Sequence, residues 1–409
     1  MMLSKKTKHG NILSINAKVA RNINRAIILN SIRERQPISR ARISELTKLN
    51  KSTVSNIVAT LIAEDLVIEE PDNRGAVGRS PINLRVKRGK HYVGAIYFDS
   101  SKTELAVIDM DGTIISKAEI KTEASDPSQF VALCIEKLNA MRRQSLPHLF
   151  RGIGITVAGI VDAASASGGT VVYAPNLGWH EVDLGQIVRE HLPDIEIITV
   201  ENDARASALA ELLLGTHKIT SANIVFLSVG AGIGAGIVVD NRILSGGTHA
   251  AGEFGHMTIV EGGEQCTCGN QGCWEVYASD RATVRRYAVT KKLSRDKTAD
   301  LTLTSIIELS YRGDAIAREA LTTSAQYIGL GIANIVRSFD PEVIIIGGTI
   351  TRAWDLIYPE IMEAVNKRGF FGKERNTAIL PTSLTAPPPL LGAAALSIRK
   401  IFTDYRIAL

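Results

Sequence analysis

The alternation of apolar and polar positions divides this chain near residue 90. In the first part, Ile23, Ile27, Ile28 and Ile32 recur at helical spacing over 21–35. Pro37 ends that helix, because it lacks the amide proton the next turn needs. Ser39 is placed to cap a second helix running to about Lys48, and Asn50 to cap a third. Val54, Ile57, Val58, Leu61 and Ile62 give the third helix one apolar stripe at i, i+3, i+4, i+7 and i+8. Its other face opens with Lys51, Ser52, Thr53, Ser55 and Asn56, all short or polar. A strand at 66–69, a basic glycine-rich loop at 73–81 and a strand at 82–86 follow. The pattern predicts a winged helix-turn-helix domain over residues 1–85.

From residue 91 the pattern becomes strands alternating with helices. Strands are predicted at 91–97, 104–109 and 113–117, with Gly112 at a turn, and a helix at 127–143. An apolar strand at 151–157 follows. Another at 196–200 ends at Glu201-Asn202-Asp203 and leads into a helix at 204–214. The stretch 219–239 has no charge and is long enough to span a bilayer, but its four glycines make it two strands around a turn. A last strand at 343–346 precedes Gly347-Gly348. A meander with a helix, met twice, predicts two related α/β lobes with a cleft between them.

Charge sharpens the division. Residues 1–90 hold 18 Lys/Arg and 7 Asp/Glu, a net of +11, so the remaining 319 residues carry −6. A basic head on an acidic body is the footprint of a nucleic-acid-binding module joined to another function. The small residues of the third helix permit close approach to a major groove, where Asn56 can pair with adenine and Lys51 can neutralise phosphate. Arg74 and Arg79 in the wing loop are expected at phosphates or in the minor groove. A three-helix protein-interaction module is the alternative. Four cysteines argue against a disulfide framework, and residues 1–10 lack the apolar core of a secretory signal, so a cytoplasmic protein without a membrane span is expected.

Three of those cysteines converge with one imidazole. His256, Cys266, Cys268 and Cys273 lie within 18 residues, and Gly269 and Gly272 free the backbone for tight turns. Thiolates and imidazole in a four-coordinate set are the ligands zinc prefers. Four protein ligands leave no open position for an activated water, so the zinc is read as structural. The alternative is three reduced cysteines packed as small apolar groups. Cys134, in an apolar helical stretch, is read as core.

Gly252-Glu253-Phe254-Gly255-His256, the 266–275 cluster and Glu201-Asn202-Asp203 together resemble the ROK family of sugar kinases and sugar-responsive repressors. The resemblance runs from about His91 to the C-terminus. Lys51-Ser52-Thr53-Val54-Ser55 and Cys273-Trp274-Glu275 are most similar to the xylose-repressor group. It implies an actin/hexokinase-like two-lobed body, with lobes at 91–200 (joined by a C-terminal helix at 390–409) and 201–389. It also implies that Asn202, Asp203, Glu253 and Glu275 meet sugar hydroxyls, and that His256 joins metal to sugar. A helix cap for Asp203 and a surface ion pair for Glu275 are the alternatives.

The kinases of the family carry an Asp-x-Gly-x-Thr type phosphate loop in the opening hairpin. Here Ile96, Tyr97 and Phe98 fill the place of the Asp and glycines, and Ala231 stands where the second loop has a threonine. Asp203 is left as a vestigial base. The expected protein is therefore no enzyme but a repressor, binding palindromic operator DNA as a homodimer or homotetramer and released by a monosaccharide. The alternatives are an ATP-dependent sugar kinase with an appended DNA-binding domain, and a protein controlled by a partner protein.

Overall fold

The computed structural model describes residues 17–71, 82–87, 89, 91–123, 126–145, 150–217, 219, 221–368 and 377–403. The chain divides into two compact units, Met1–His91 with Ile398–Leu409, and Tyr92–Ser397.

In the first unit, helices α1 (Ala17–Arg35), α2 (Arg40–Thr47) and α3 (Lys51–Ala63) are joined by strand β1 (Ile38–Ser39) and followed by β2 (Val67–Pro71) and β3 (Ile82–Val86). The caps act as the sequence predicts. Ser39 Oγ accepts from Arg42 N at 3.2 Å and Asn50 Oδ1 from Thr53 N at 2.7 Å. Val54, Ile57, Val58 and Leu61 are buried, with Ile28, Leu29, Ile32 and Ile43 also in the interior. β3 pairs with β2 on one side and β1 on the other, all antiparallel. The two-residue β1 has no counterpart in the predicted elements. The wing loop, with Arg74 and Arg79, lies outside the described residues.

The second unit contains two five-stranded sheets of one topology. The first holds β4 (Tyr92–Phe98), β5 (Lys102–Asp109), β6 (Ile114–Lys121), β7 (Phe150–Val157) and, after an inserted three-stranded sheet of β8 (Ile160–Asp162), β9 (Thr170–Ala174) and β10 (Trp179–Val182), β11 (Ile197–Asn202). Its order is β6-β5-β4-β7-β11; the meander is antiparallel and the rest parallel. α4 (Pro127–Ser145) precedes β7 and α5 (Leu184–His191) precedes β11. Cys134 of α4 is fully buried, and burial pushes its thiol up to about 12, which makes it the core residue expected.

The second sheet repeats the scheme as β14 (Arg242–Ile243), β13 (Ile233–Val239), β12 (Ile224–Val229), β15 (Val343–Gly347) and β16 (Ala378–Pro381), in that order. Helix α6 (Asp203–Leu214) links the two sheets. Helices α7 (Glu275–Ala278), α8 (Asp280–Thr290), α9 (Arg295–Ala299), α10 (Leu303–Tyr311) and α11 (Ala315–Phe339) lie between β14 and β15, α12 (Trp354–Asn366) between β15 and β16, and α13 (Pro388–Thr403) ends the described chain.

Glycines set how the linking helices seat. A Cβ on Gly236 of β13 would stand 2.2 Å from Ala204 O of α6, and one on Gly154 of β7 would stand 1.7 Å from Ala393 O of α13. Thus α6 packs on the second sheet and the first turns of α13 on the first. Thr156 Oγ1 donates to Pro389 O at 3.0 Å, fixing that contact. No described helix is long and apolar enough to cross a membrane. The uncharged 219–239 stretch is the β12–β13 hairpin, as its glycines predict.

Candidate functional site

The parallel strands of the first sheet end where α6 begins. Asn202, the last residue of β11, caps α6 by accepting Arg205 N at 3.0 Å, and its Nδ2 donates to Gly159 O at 3.0 Å. The cap is therefore Asn202 rather than Asp203. An amide offers two donors and two lone pairs, so Asn202 keeps one of each. Asp203 Oδ1 accepts Ala204 N at 2.9 Å. Burial, with the charges of Glu253 and Asp99 beside it, pushes the Asp203 carboxyl from 3.8 to about 7.

Of the three bulky residues in the opening hairpin, Ile96 and Phe98 are fully buried against α4, and Phe98 lies edge-on to Trp179 at 5.0 Å. Tyr97 alternates to the other face. Burial and the carboxylates of Asp203, Asp99 and Glu104 hold its phenol well above the usual tyrosine range. Tyr97 therefore shares the electrostatic environment of Asp203.

Glu253 comes from the other lobe, on a segment whose path needs glycine. Gly252 has φ +99, and a Cβ there would stand 1.9 Å from Ala235 O; one on Gly255 would stand 2.2 Å from Ile233 O. The Gly252-Glu253-Phe254-Gly255 run is thereby pressed flat against β13 and turns Glu253 outward. Glu253 is exposed to solvent, yet the surrounding protein raises its carboxyl; partial desolvation is the main cause and the Glu275 charge adds to it.

The four metal-type residues come together as the sequence predicts. Their ligand atoms all lie within 4.8 Å of one another. Cys266 Sγ is 3.7 Å from His256 Nδ1, and Cys268 Sγ is 3.7 Å from Cys273 Sγ. Tetrahedral zinc at about 2.3 Å from each sulfur sets neighbouring sulfurs about 3.8 Å apart, which the Cys268–Cys273 pair matches. The turns rely on Gly269 at φ +94 and Gly272 at φ +75, and a Cβ on Gly272 would stand 1.7 Å from Val260 O. Ile259 N donates to Gly272 O and Trp274 N to Met257 O, both at 2.8 Å, closing the two arms of the loop. The fully buried Trp274, packed on Gly331 of α11, donates through Nε1 to Tyr327 O at 2.7 Å and anchors the cluster.

Glu275 joins this cluster to the glycine turn. Its Oε1 accepts from Cys266 Sγ at 3.3 Å and lies 3.7 Å from His256 Nδ1. Its Oε2 stands 2.6 Å from where a Cβ on Gly232 would be. It is thus no surface ion pair.

The sequence-based reading missed Arg205. Its guanidinium is fully buried, pairs with Glu201 at 2.8 Å, and donates to Val161 O and His249 O, each at 3.1 Å. A lone cation in the Ala-rich run 203–210 is the signal that could have found it. On the head, Lys51, Ser52, Ser55 and Asn56 are exposed at the start of α3 and Thr53 is half-buried. Arg35, Ser39, Arg42 and Asn83 line a recess of about 380 Å³ in that unit.

Two five-stranded sheets of one topology, each led by an antiparallel meander, define an actin/hexokinase-like body, which follows a unit of three helices and a small antiparallel sheet. The chain belongs to the ROK family, whose model matches residues 93–400. It is 32% identical to the "Xylose repressor" of Bacillus spizizenii over 385 residues, which cover 92% of this chain and 95% of that protein. A solved ROK family transcriptional regulator, a homologue of the Escherichia coli Mlc protein, superposes with a TM-score of 0.80 at 26% identity, covering 94% of this chain and 97% of that one. A ROK family glucokinase from Streptomyces griseus, solved with glucose and AMPPNP, gives a TM-score of 0.64 at 28% identity over 75% of this chain and 98% of its own. The kinase match leaves out a quarter of the chain; the regulator match takes in nearly all of it.

Proposed function

We propose that this protein is a sugar-responsive, DNA-binding transcriptional repressor of carbohydrate-utilisation genes. The observation that carries the reading is one chain holding both an exposed polar helix face at Lys51–Asn56 and a carboxylate group in the body, where Glu253 adds to the burial that raises Asp203 beside the Asn202 cap. Carboxylates accept strongly from hydroxyls, so these residues suit a neutral monosaccharide. Lys51, Ser52, Thr53, Ser55 and Asn56 would enter the major groove, and the recess lined by Arg35 and Arg42 suits the phosphate backbone. Arg74 and Arg79 are proposed wing contacts to DNA on sequence alone. Two heads in a homodimer or homotetramer would read two half-sites, in the cytoplasm.

His256, Cys266, Cys268 and Cys273 are the proposed ligands of a structural zinc, which would fix the cluster that carries His256 and Glu275 beside the cleft. Xylose is the first effector to try, given the name of the Bacillus relative.

The protein is proposed not to be an enzyme, because Ile96, Tyr97 and Phe98 stand where the family's kinases carry the Asp and glycines of a phosphate loop, and Tyr97 is the one of them on the face shared with Asp203. One observation favours the kinase alternative: a carboxyl raised to about 7, as at Asp203, suits a general base. The two readings separate in one assay. Purified protein with ATP, Mg²⁺ and each of a panel of monosaccharides is expected to yield no sugar phosphate above background. Sugar phosphate formation that Asp203→Asn abolishes would establish the kinase instead.

A further inference from the structure

Arg205 begins two residues after Asp203, yet its contacts reach three separate segments. Nη2 pairs with Glu201 Oε1 at 2.8 Å and donates to Val161 O of β8 at 3.1 Å. Nη1 donates to His249 O at 3.1 Å and Ser245 O at 3.4 Å, both in the 245–253 segment of the second lobe. Glu201 Oε1 also accepts Asn202 N at 2.8 Å, so the ion pair is continuous with the cap of α6. The 245–253 segment meets β8 a second time. His249, at φ +60, brings Nε2 to 3.7 Å from Asp162 Oδ1. The segment folds back through Ala251 N to Ser245 O at 3.2 Å and ends at Gly252, seated on β13, with Glu253 next.

A buried guanidinium without such acceptors would be strongly disfavoured, so its burial here requires this arrangement of the three segments. A planar fork can serve a carboxylate and several carbonyls at once, whereas an ammonium is a single point charge. The contacts fix the entry to the 245–253 segment and Gly252 fixes its exit. Between them they determine where Glu253 stands relative to Asp203 and Asn202.

We propose that Arg205 is a positioning residue for effector binding, holding β8 of the first lobe and the 245–253 segment of the second against the Asn202–Asp203 corner. It touches no ligand in this account; it acts through Glu253. The proposal rests on the reading of the cleft as a monosaccharide site, and its test keeps the two apart. Hydrogen exchange on the ligand-free full-length protein measures the positioning alone. Arg205→Lys keeps the charge opposite Glu201 but cannot reach all four acceptors. It is expected to speed exchange at 245–253 at least ten-fold while the 256–273 loop keeps its protection and its metal. Unchanged exchange at 245–253 would overturn the proposal.

Calorimetry with D-xylose and D-glucose then measures the consequence. Whichever sugar the unaltered protein binds should bind Arg205→Lys at least ten-fold more weakly. In a Glu253→Gln background the same substitution should cost much less, since the two act on one contact. Equal losses in both backgrounds would contradict action through Glu253. If the unaltered protein binds neither sugar, the functional reading is in question, while the exchange result still decides whether Arg205 holds the segment. Should Arg205→Lys fail to fold, His249→Gln removes the second attachment of the segment without burying an unpaired charge, and it should raise exchange at 245–253 by a smaller factor. No change there would count against the proposal.

Discussion

The β4–β5 and β12–β13 hairpins open the two lobes in the same topological position and both send residues into a core, yet their turns differ. In the first, Ile96 and Phe98 are core residues packed under α4, and the turn closes with Asp99 N donating to Lys102 O at 3.3 Å. In the second, Gly230 N donates to Gly232 O at 2.9 Å, and glycine recurs at 232, 234 and 236. Those glycines have structural duties of their own. Gly236 admits the backbone of α6, with Ala204 O 2.2 Å from its missing Cβ, and Gly232 admits the Glu275 carboxylate. Packing thus accounts for Gly236, inside β13, whereas a Cβ on Gly230 at the turn would meet nothing within 4 Å.

If the second lobe's insertion organises the cleft, the largest effect comes from its metal cluster. Cys268→Ser is expected to lose bound zinc, measured by metal analysis, and with it the response to sugar, because His256 and Glu275 lose their common frame. Purified unaltered protein free of zinc after mild preparation would contradict the assignment.

Asp203→Asn comes next. Losing a charged acceptor to a sugar hydroxyl costs roughly 1.5–3 kcal/mol, about 10- to 150-fold in affinity. The pH dependence adds a second readout. Since the folded carboxyl titrates near 7, sugar affinity should fall as pH drops through about 7, and Asp203→Asn should flatten that profile. For stability the sign is set by the raised folded value against 3.8 when unfolded. The ligand-free protein is stabilised by this group below about pH 4 and loses that contribution as pH rises towards 7. Asp280, also pushed to about 7 by burial, contributes in the same direction and should persist in the variant.

A smaller effect sharpens the hairpin comparison. Gly232→Ala sets a methyl 2.6 Å from Glu275 Oε2, the far end of a flexible side chain, so the fold should survive and the carboxylate should move. Roughly 1 kcal/mol, about five-fold in sugar affinity, is expected. Unchanged affinity would remove Glu275 from the site.

What the sequence disclosed were features whose causes are local. Ser39 and Asn50 cap the helices they precede, the stripe from Val54 to Leu61 is buried, and the metal-type residues meet because Gly269 and Gly272 allow the turns. What it withheld depends on partners far along the chain. Arg205 gains its meaning from Val161 and His249, each 44 residues away, and nothing beside it names those carbonyls. The β8–β10 sheet and the helices from α7 to α12 were equally hidden, because short strands and helices inserted into a larger fold carry no period that separates them from their neighbours. In the sequence Tyr97 is one of three bulky residues; only strand alternation separates it from Ile96 and Phe98 and sets it beside Asp203.

The central claim is that sugar binding in the body, without phosphoryl transfer, controls DNA binding by the head. The direct measurement is operator release. Full-length protein bound to a duplex selected from random sequence is titrated with D-xylose and other monosaccharides in the absence of ATP and Mg²⁺, while anisotropy reports the DNA. The account predicts that one sugar dissociates the complex and that adding ATP and Mg²⁺ neither changes the midpoint nor yields sugar phosphate. DNA affinity indifferent to every sugar, with sugar phosphate accumulating once ATP is present, would contradict it.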